Sequence, residues 1–398
     1  MGGRSTTLQL LYILENWTKS LDEGGFIDVI YTDFQKAFDT VPHRRLMSKL
    51  HSYGINKEII KWVECFLSNR KQRVNVNGSS SSWQNVLSGV PQGSVLGPLL
   101  FVIFINDLPE QVDSLLYLFA DDAKMFQNIV GAHSETLLQN DLLKIQQWTE
   151  TWMLKLNLQK CKHLTIGNAK GRNVNYFLKE NMSYYTLENV DSEKDLGVIM
   201  DGKLAFDNHI NEKINKANGI IAVIKYNFTY IDAECLLLLY KALVRPHLEY
   251  AVRVWAPYKN KHIIALENVQ RRATKLVPSL RNLSYENRLR CLELPTLVYR
   301  RLRGDMIEVY KLLTGKYDNE LPPLLELQRE GSITRGHKLK LKKQMARTNT
   351  RLQFFTLRVV NHWNTLPEWV VDSPSLISFE KNLDKCWTNA EFKYSLPI

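Results

Sequence analysis

Two adjacent acids set between apolar runs constrain this chain more than any other feature. Leu115-Leu116-Tyr117-Leu118 leads into Phe119-Ala120-Asp121-Asp122, and Ala123-Lys124-Met125-Phe126 follows. This pattern predicts a strand, a tight turn and a second strand, with two carboxylates held at the end of a hairpin. Crowded like charges cost free energy unless something neutralises them. A hard divalent cation such as Mg²⁺ is the natural partner, because it takes oxygen ligands and bridges to substrate phosphates. An Asp pair alone equally describes a helix cap or a solvated turn. The surrounding chain separates these readings.

A second acid stands at the end of another strand. Apolar positions at Leu10, Leu14, Trp17 and Leu21 predict a helix over residues 6–21, which Gly24-Gly25 breaks. Residues 26–31 are β-branched and aromatic and read as a strand that delivers Asp33, followed by Phe34-Gln35-Lys36-Ala37-Phe38-Asp39. Val41-Pro42-His43 opens a helix with Leu46, Leu50 and Tyr53 on one side, closed by Gly54, and another helix covers residues 58–67. Arg70, Lys71 and Arg73 then lie in a basic hairpin, read either as a solvated surface hairpin or as a contact to template phosphates.

Ser88-Gly89-Val90-Pro91-Gln92-Gly93-Ser94 frees backbone N–H groups for close approach to a ligand, and a helix from Leu99 to about Asp107 follows. The loop is an ordinary Gly/Pro connection or a floor for a nucleotide base and sugar. Leu138, Leu142, Ile145, Trp148 and Trp152 predict an amphipathic helix over residues 136–154 whose stripe is core. Leu156-Asn157 and Lys160 come next, then a strand through Leu164 and Ile166, and a second hairpin over residues 187–200.

Beyond Lys203 the pattern is mostly helical, with a strongly apolar segment at 231–244 and an amphipathic one at 263–277. Arg271, Arg272 and Lys275 cluster on the latter as a solvated face or a track for a phosphate backbone. The stretch 335–358 is rich in Lys and Arg, and Phe354, Phe355, Trp363, Trp369 and Trp387 lie in or beyond it. These suit either nucleic-acid contact or a small packed domain under a charged surface. A formal net charge of +11 over 398 residues favours a polyanionic partner, nucleic acid before membrane. Five dispersed cysteines without CxxC spacing predict neither a disulfide framework nor a zinc knuckle. The longest apolar run, residues 95–105, is too short to span a bilayer. There is no signal peptide pattern, so an intracellular setting, nuclear or cytoplasmic, is expected.

If the strands bearing Asp33 and Asp121-Asp122 are neighbours in one antiparallel sheet, their carboxylates converge as phosphoryl transfer at a two-metal site requires. Asp33 and Asp121 are then the main metal ligands and Asp122 an accessory one. Phe38 is either a core aromatic or a ring under the sugar that excludes a 2′-hydroxyl. Lys160 is either an exposed lysine or a source of positive charge or a proton for a leaving pyrophosphate.

These residues resemble a known family. Tyr31-Thr32-Asp33-Phe34-Gln35-Lys36-Ala37-Phe38-Asp39 resembles motif A of reverse transcriptases of non-LTR (LINE-type) retrotransposons, residues 88–94 resemble motif B, and Phe119-Ala120-Asp121-Asp122 resembles motif C. Leu156-Asn157 with Lys160 is similar to motif D, and Asp195-Leu196-Gly197-Val198 to the primer-grip region. Residues 240–250 and 359–367 resemble the thumb and tail of the jockey-like branch. The resemblance implies an α+β right-hand polymerase with a ferredoxin-like palm at 26–202, a helical thumb at 203–290 and a basic C-terminal region at 291–398. It implies a remnant of the fingers at 1–25, because Gly3-Arg4-Ser5-Thr6 looks like the end of a fingers motif. On that reading Met1-Gly2 is a truncation start, although with Thr6 it formally fits a myristoylation pattern. The implied chemistry is RNA-templated DNA synthesis with Mg²⁺ (or Mn²⁺), deoxynucleoside triphosphates, an RNA template and a DNA primer or target. Phe38 then gates the sugar, and Pro91, Gln92 and Gly93 support the nucleotide. Phe119 replaces the more familiar Tyr. The alternative is an inactive relic that only binds nucleic acid; an RNA-templated RNA polymerase is disfavoured by Phe38.

Overall fold

The strand read around Val29 is the centre of a five-stranded sheet. The computed structural model describes residues 4–168, 172, 174–180, 183–317, 322–328 and 336–396. Met1-Gly2 and Arg335 lie outside these residues. Numbered along the chain, the five strands are β1 (Phe26–Thr32), β2 (Leu115–Phe119), β3 (Asp122–Ile129), β4 (Lys162–Ile166) and β5 (Glu188–Asn189), arranged β5-β4-β1-β3-β2. All neighbours are antiparallel except β5, which runs parallel to β4. Ile27, Val29 and Ile30 of β1 are fully buried, as a continuous β-branched run in a central strand predicts.

The chain forms two compact units, residues 25–193 and residues 1–24 with 194–398. In the first, the sheet is accompanied by helices at His43–Ser52, Lys57–Leu67, Leu96–Ile105 and Ala132–Trp152. Their apolar faces meet Ile30, Phe34 and Met125 of the sheet and its edge loop through Leu46, Leu50, Phe101, Phe104, Leu138, Leu142 and Ile145. Each such side chain contributes roughly 1.5–3 kcal/mol of burial. The helix expected from Leu99 starts three residues earlier, at Leu96, with Gly97 and Pro98 in its first turn. Proline is tolerated there because first-turn N–H groups have no helical acceptor.

Two details of this unit depart from the sequence pattern. An additional antiparallel pair joins Phe177–Glu180 with Ser183–Thr186. The hairpin expected over 187–200 starts only at Ser192, and Glu188–Asn189 joins the main sheet instead. Asp28 lies inside β1 with no exposed surface. Arg172 holds it with Nη1–Oδ1 and Nη2–Oδ2 bonds of 3.1 and 2.6 Å, Tyr176 OH donates at 2.7 Å and Thr165 Oγ1 at 2.8 Å. Buried charge is tolerated in this form, paired and saturated with hydrogen bonds.

The second unit is helical, with Asp207–Asn227, Asn260–Thr274, Leu297–Leu313, Phe355–Asn364 and Leu376–Cys386 its longer helices beside Thr6–Asp22. The apolar segment expected at 231–244 is the helix Ala233–Leu239 running into a π-helical turn, Tyr240–Val244, ahead of Arg245–Glu249. The wider turn relieves the clash between the Pro246 ring and the carbonyl four residues back. The helix Thr6–Asp22 is tied to C-terminal residues: Glu15 pairs with both Arg351 nitrogens at 2.8 and 2.6 Å, and Asp22 accepts from the amides of Arg347 and Thr348. Phe354, Phe355 and Trp363 are buried, and Arg358 pairs with Asp305, so this part of the tail is a packed core under charged residues. All five cysteines are free, and no helix among the described residues is long and apolar enough to cross a membrane.

Candidate catalytic site at the strand ends

The register of the sheet sets the site. Thr32, the last residue of β1, pairs with Ala123, and Phe119 pairs with Asp122 across the β2–β3 turn. The Thr32 hydroxyl donates to the Ala123 carbonyl at 3.1 Å. Asp33 therefore leaves β1 beside the two-residue turn Ala120-Asp121 and its neighbour Asp122. The strands that bear these acids are antiparallel neighbours, the condition set for their convergence. Ala120 has φ +53°, a left-handed conformation that costs a non-glycine residue about 1–2 kcal/mol. That conformation at the first turn position suits the twist of the flanking strands.

The segment after Asp33 is fastened to residues 155–161. The Gln35 amide donates to Lys155 O at 2.8 Å, its side chain to Leu156 O at 3.1 Å, and the Asn157 amide to Asp33 O at 2.8 Å. These bonds carry Lys160, in the 3₁₀ turn Leu158–Lys160, to 3.5 Å from Asp33 Oδ2. The same oxygen is buried at the atom level and accepts no hydrogen bond. Burial pushes the neighbouring Cys161 thiol up to about 11, and the Asp33 charge adds to this effect, so the sulfur stays protonated.

A carboxylate oxygen without a hydrogen-bond donor, at the end of the strand that pairs with the one beginning at Asp122, suits a hard cation in donor type. Among the described residues no group of three or more His, Cys, Asp or Glu gathers into a metal cage. Mg²⁺ does not need one, since it is commonly held by one or two carboxylates with substrate phosphates and water completing the shell.

Phe38 belongs to the short helix Ala37–Thr40 and stacks on Phe101 with centroids 4.5 Å apart, half-buried. The Gly/Pro loop lies against this helix. The Val90 amide donates to Phe38 O at 2.7 Å, the Gly89 amide to Val41 O at 2.9 Å, and Gln92 Nε2 to Asp39 Oδ1 at 3.1 Å. Gly89 has φ +83°, and a Cβ there would lie 2.5 Å from Asp39 O, so only glycine fits. Pro91 is half-buried and Gly93 is exposed with φ +84°. Lys36, Asp39, Arg70, Lys71, Ser88, Pro91 and Gln92 are among the residues around an open concavity of about 820 Å³, within the size range of ligand sites.

The basic candidates differ in availability. Lys71 and Arg73 are exposed on the hairpin, Arg73 over the Trp83 ring at 4.7 Å. Arg70 is half-buried, with its guanidinium on the carbonyls of Leu67 and Gly89. In the other unit, Arg272 and Lys275 are exposed, Arg272 bonding Asn218 at 2.5 Å. Arg271 packs over the Tyr285 ring at 4.9 Å. Charge alone did not single out His43, whose Nε2 lies 2.9 Å from Gly89 O, or Asp39, the partner of Gln92. Asp39 directly follows Phe38 and His43 stands four residues further on, and this proximity is the signal available in the sequence.

Comparison with known proteins follows the same residues. A family model described as reverse transcriptase (RNA-dependent DNA polymerase) matches residues 23–221. The RNA-directed DNA polymerase from mobile element jockey of Drosophila melanogaster is 29% identical over 285 residues, covering 67% of this chain and 29% of that protein. Its counterpart in Drosophila funebris is 30% identical over 285 residues, covering 67% and 30%. The probable RNA-directed DNA polymerase from transposon X-element of Drosophila melanogaster is 24% identical, covering 69% and 31%. The chain thus spans about three tenths of the length of these relatives. Telomerase from Candida tropicalis aligns over 50% of this chain and 40% of that chain at 14% identity and a TM-score of 0.35, too slight a likeness to argue from.

Proposed function

This chain belongs to the reverse transcriptase family, among the polymerases of jockey-like non-LTR retrotransposons, and we propose that it carries the palm, thumb and C-terminal region of an RNA-directed DNA polymerase acting by two-metal nucleotidyl transfer. The observation that supports this reading is the pairing of Thr32, the residue before Asp33, with Ala123, the residue after Asp122. On this reading residues 26–202 are the palm, 203–290 the thumb and 291–398 the C-terminal region, and residues 1–25 belong to the fingers.

Asp33 and Asp121 would hold Mg²⁺, with Asp122 accessory. Bound there, the cation supplies Lewis-acid stabilisation to the attacking 3′-hydroxyl and the leaving pyrophosphate. Lys160, already paired with Asp33, offers its ammonium to the leaving pyrophosphate as charge or proton donor. Phe38 stands under the sugar and excludes a 2′-hydroxyl, while Pro91, Gln92 and Gly93 bear on base and sugar. Lys71, Arg73, Arg272 and Lys275 contact phosphates of an RNA template and a DNA primer or target strand. The setting is intracellular, nuclear or cytoplasmic.

The test is incorporation of a deoxynucleotide on an RNA template with a DNA primer and Mg²⁺, for the native chain and Asp33→Asn. Incorporation that falls on the order of 10³-fold in the variant, with hybrid binding retained, supports the reading. Salt-dependent hybrid binding with no incorporation by the folded native chain overturns it in favour of a binding-only relic.

A further inference from the structure

One buried carbonyl, that of Gly89, receives two side-chain donors from different parts of the sequence. Arg70 Nη2 donates to it at 2.6 Å, and His43 Nε2 lies at 2.9 Å. Neither side chain belongs to the carboxylate site. Gly89 sits at the start of the loop that carries Pro91, Gln92 and Gly93. That loop is stitched to residues 38–41 by the Gly89 and Val90 amides, by Ser88 Oγ on Asp39 O at 2.9 Å and by Gln92 on the Asp39 carboxylate. Gly97 closes the other end, because a Cβ there would meet Pro91 O at 2.4 Å.

Arg70 reaches this carbonyl from the base of the exposed basic hairpin. Its own carbonyl accepts from the Val86 amide at 2.9 Å, which closes the hairpin, and its Nε donates to Leu67 O at 3.1 Å. Lys71 and Gln72, the next two residues, pair with Asn85 and Gln84. The guanidinium is therefore a strut between the hairpin stem and the loop facing Phe38. Charge-assisted bonds from a planar, branched donor set hold such a geometry more firmly than neutral ones. His43, the first residue of the helix His43–Ser52, fixes the same carbonyl from the side of Phe38.

We propose that Arg70 and His43 are positioning residues for nucleotide selection: together they clamp the Gly89 carbonyl so that the loop 88–93 keeps a fixed distance from Phe38. They also link the position of the hairpin to that of the nucleotide floor. A loosened floor admits a 2′-hydroxyl beside Phe38 and weakens nucleotide capture before it slows the chemical step. The inference rests on the polymerase reading above for its substrate and on the hydrogen bonds for its mechanism.

The experiment uses the full chain with Arg70→Met, His43→Leu and the donor-retaining His43→Gln. Two readouts are taken. The first is hydrogen exchange at the Gly89 and Val90 amides, which does not require polymerisation. The second is incorporation of deoxy- and ribonucleotides on an RNA template. Arg70→Met and His43→Leu are expected to lose protection at both amides. They are also expected to raise KM for the deoxynucleotide and lower the deoxy-to-ribo preference, each about tenfold, with kcat changed less, while His43→Gln restores most of the preference. Folded variants with native amide protection, or with lost protection but an unchanged deoxy-to-ribo preference, overturn the proposal. If the native chain incorporates nothing, the polymerase reading fails on its own evidence. The clamp is then judged by amide protection together with binding of a deoxynucleoside triphosphate and Mg²⁺, and variants that bind it as tightly as the native chain refute it.

Discussion

Replacing Asp28 with alanine is expected to destabilise the sheet-containing unit more than any surface change near Asp33, Asp121 and Asp122. Asp28 has no exposed surface, and its two oxygens accept two bonds from Arg172 and one each from Tyr176 and Thr165, with His163 Nε2 at 3.2 Å. Removing it leaves two hydroxyls without this acceptor and takes from the guanidinium both of its bonds to Asp28, while Glu135 stays 2.7 Å from its Nε. Breaking one partner of a buried pair costs roughly 3–5 kcal/mol. For a unit of this size that lowers the unfolding temperature by about 6–20 °C. The assay is urea unfolding followed by a probe in residues 25–193, reading the midpoint shift at constant slope. The double change Asp28→Leu with Arg172→Met removes both charges and is expected to recover at least half of the loss. A cost below about 1 kcal/mol for Asp28→Ala would refute the view that this network holds β1 to β4. Burial by itself raises the Asp28 carboxyl, but the bonds from His163, Arg172 and Tyr176 outweigh it and hold the group well below the usual carboxylate range. Its contribution is then fully present above the ordinary carboxylate value of about 4 and is lost as pH falls through the lower folded value. The gap between native and Asp28→Asn should narrow only in strongly acidic solution.

Gly89→Ala places a Cβ 2.5–2.6 Å from the Asp39 backbone at a φ of +83°, so a loss of at least about 2 kcal/mol is expected in a urea midpoint, together with reduced incorporation. A neutral result would mean that the loop moves freely away from Phe38. Lys160→Ala removes a side chain that is 67% exposed, so stability should change by less than about 0.5 kcal/mol while kcat falls on the order of 10²-fold with hybrid binding intact. Unchanged kcat would remove Lys160 from the mechanism.

Much of the sheet was legible because β1 and the β2–β3 hairpin carry local signals: β-branched runs, an acid pair at a tight turn, and glycines on either side. The placement of Lys160 was not legible from spacing, since it depends on main-chain bonds from Gln35 and Asn157 across more than a hundred residues. Asp28 read as one polar residue in a strand, because its partners Thr165, Arg172 and Tyr176 are distant in sequence and carry no motif. The pairing of Phe177–Glu180 with Ser183–Thr186 follows no alternating apolar pattern strong enough to announce it. Charge clustering placed Arg70 with Lys71 and Arg73, yet burial separates them, because Arg70 faces inward to carbonyl groups and the other two face water. Arg271 is likewise separated from Arg272 by the 100° step between consecutive helical residues, which turns it onto the Tyr285 ring. The aromatic residues Phe354, Phe355 and Trp363 fit a stacking platform by composition, and their burial makes them core.

In the proposed mechanism Asp33, after the end of β1, and Asp121, in the β2–β3 turn, would hold a divalent cation. Mn²⁺ binding, followed by the loss of its free paramagnetic signal in the presence of a deoxynucleoside triphosphate, tests this directly in the native chain, Asp33→Asn and Asp121→Asn. The native chain should bind the ion–nucleotide pair, and each variant should bind it at least about tenfold more weakly while remaining folded. Equal affinity in all three chains would contradict the assignment of these carboxylates to the metal.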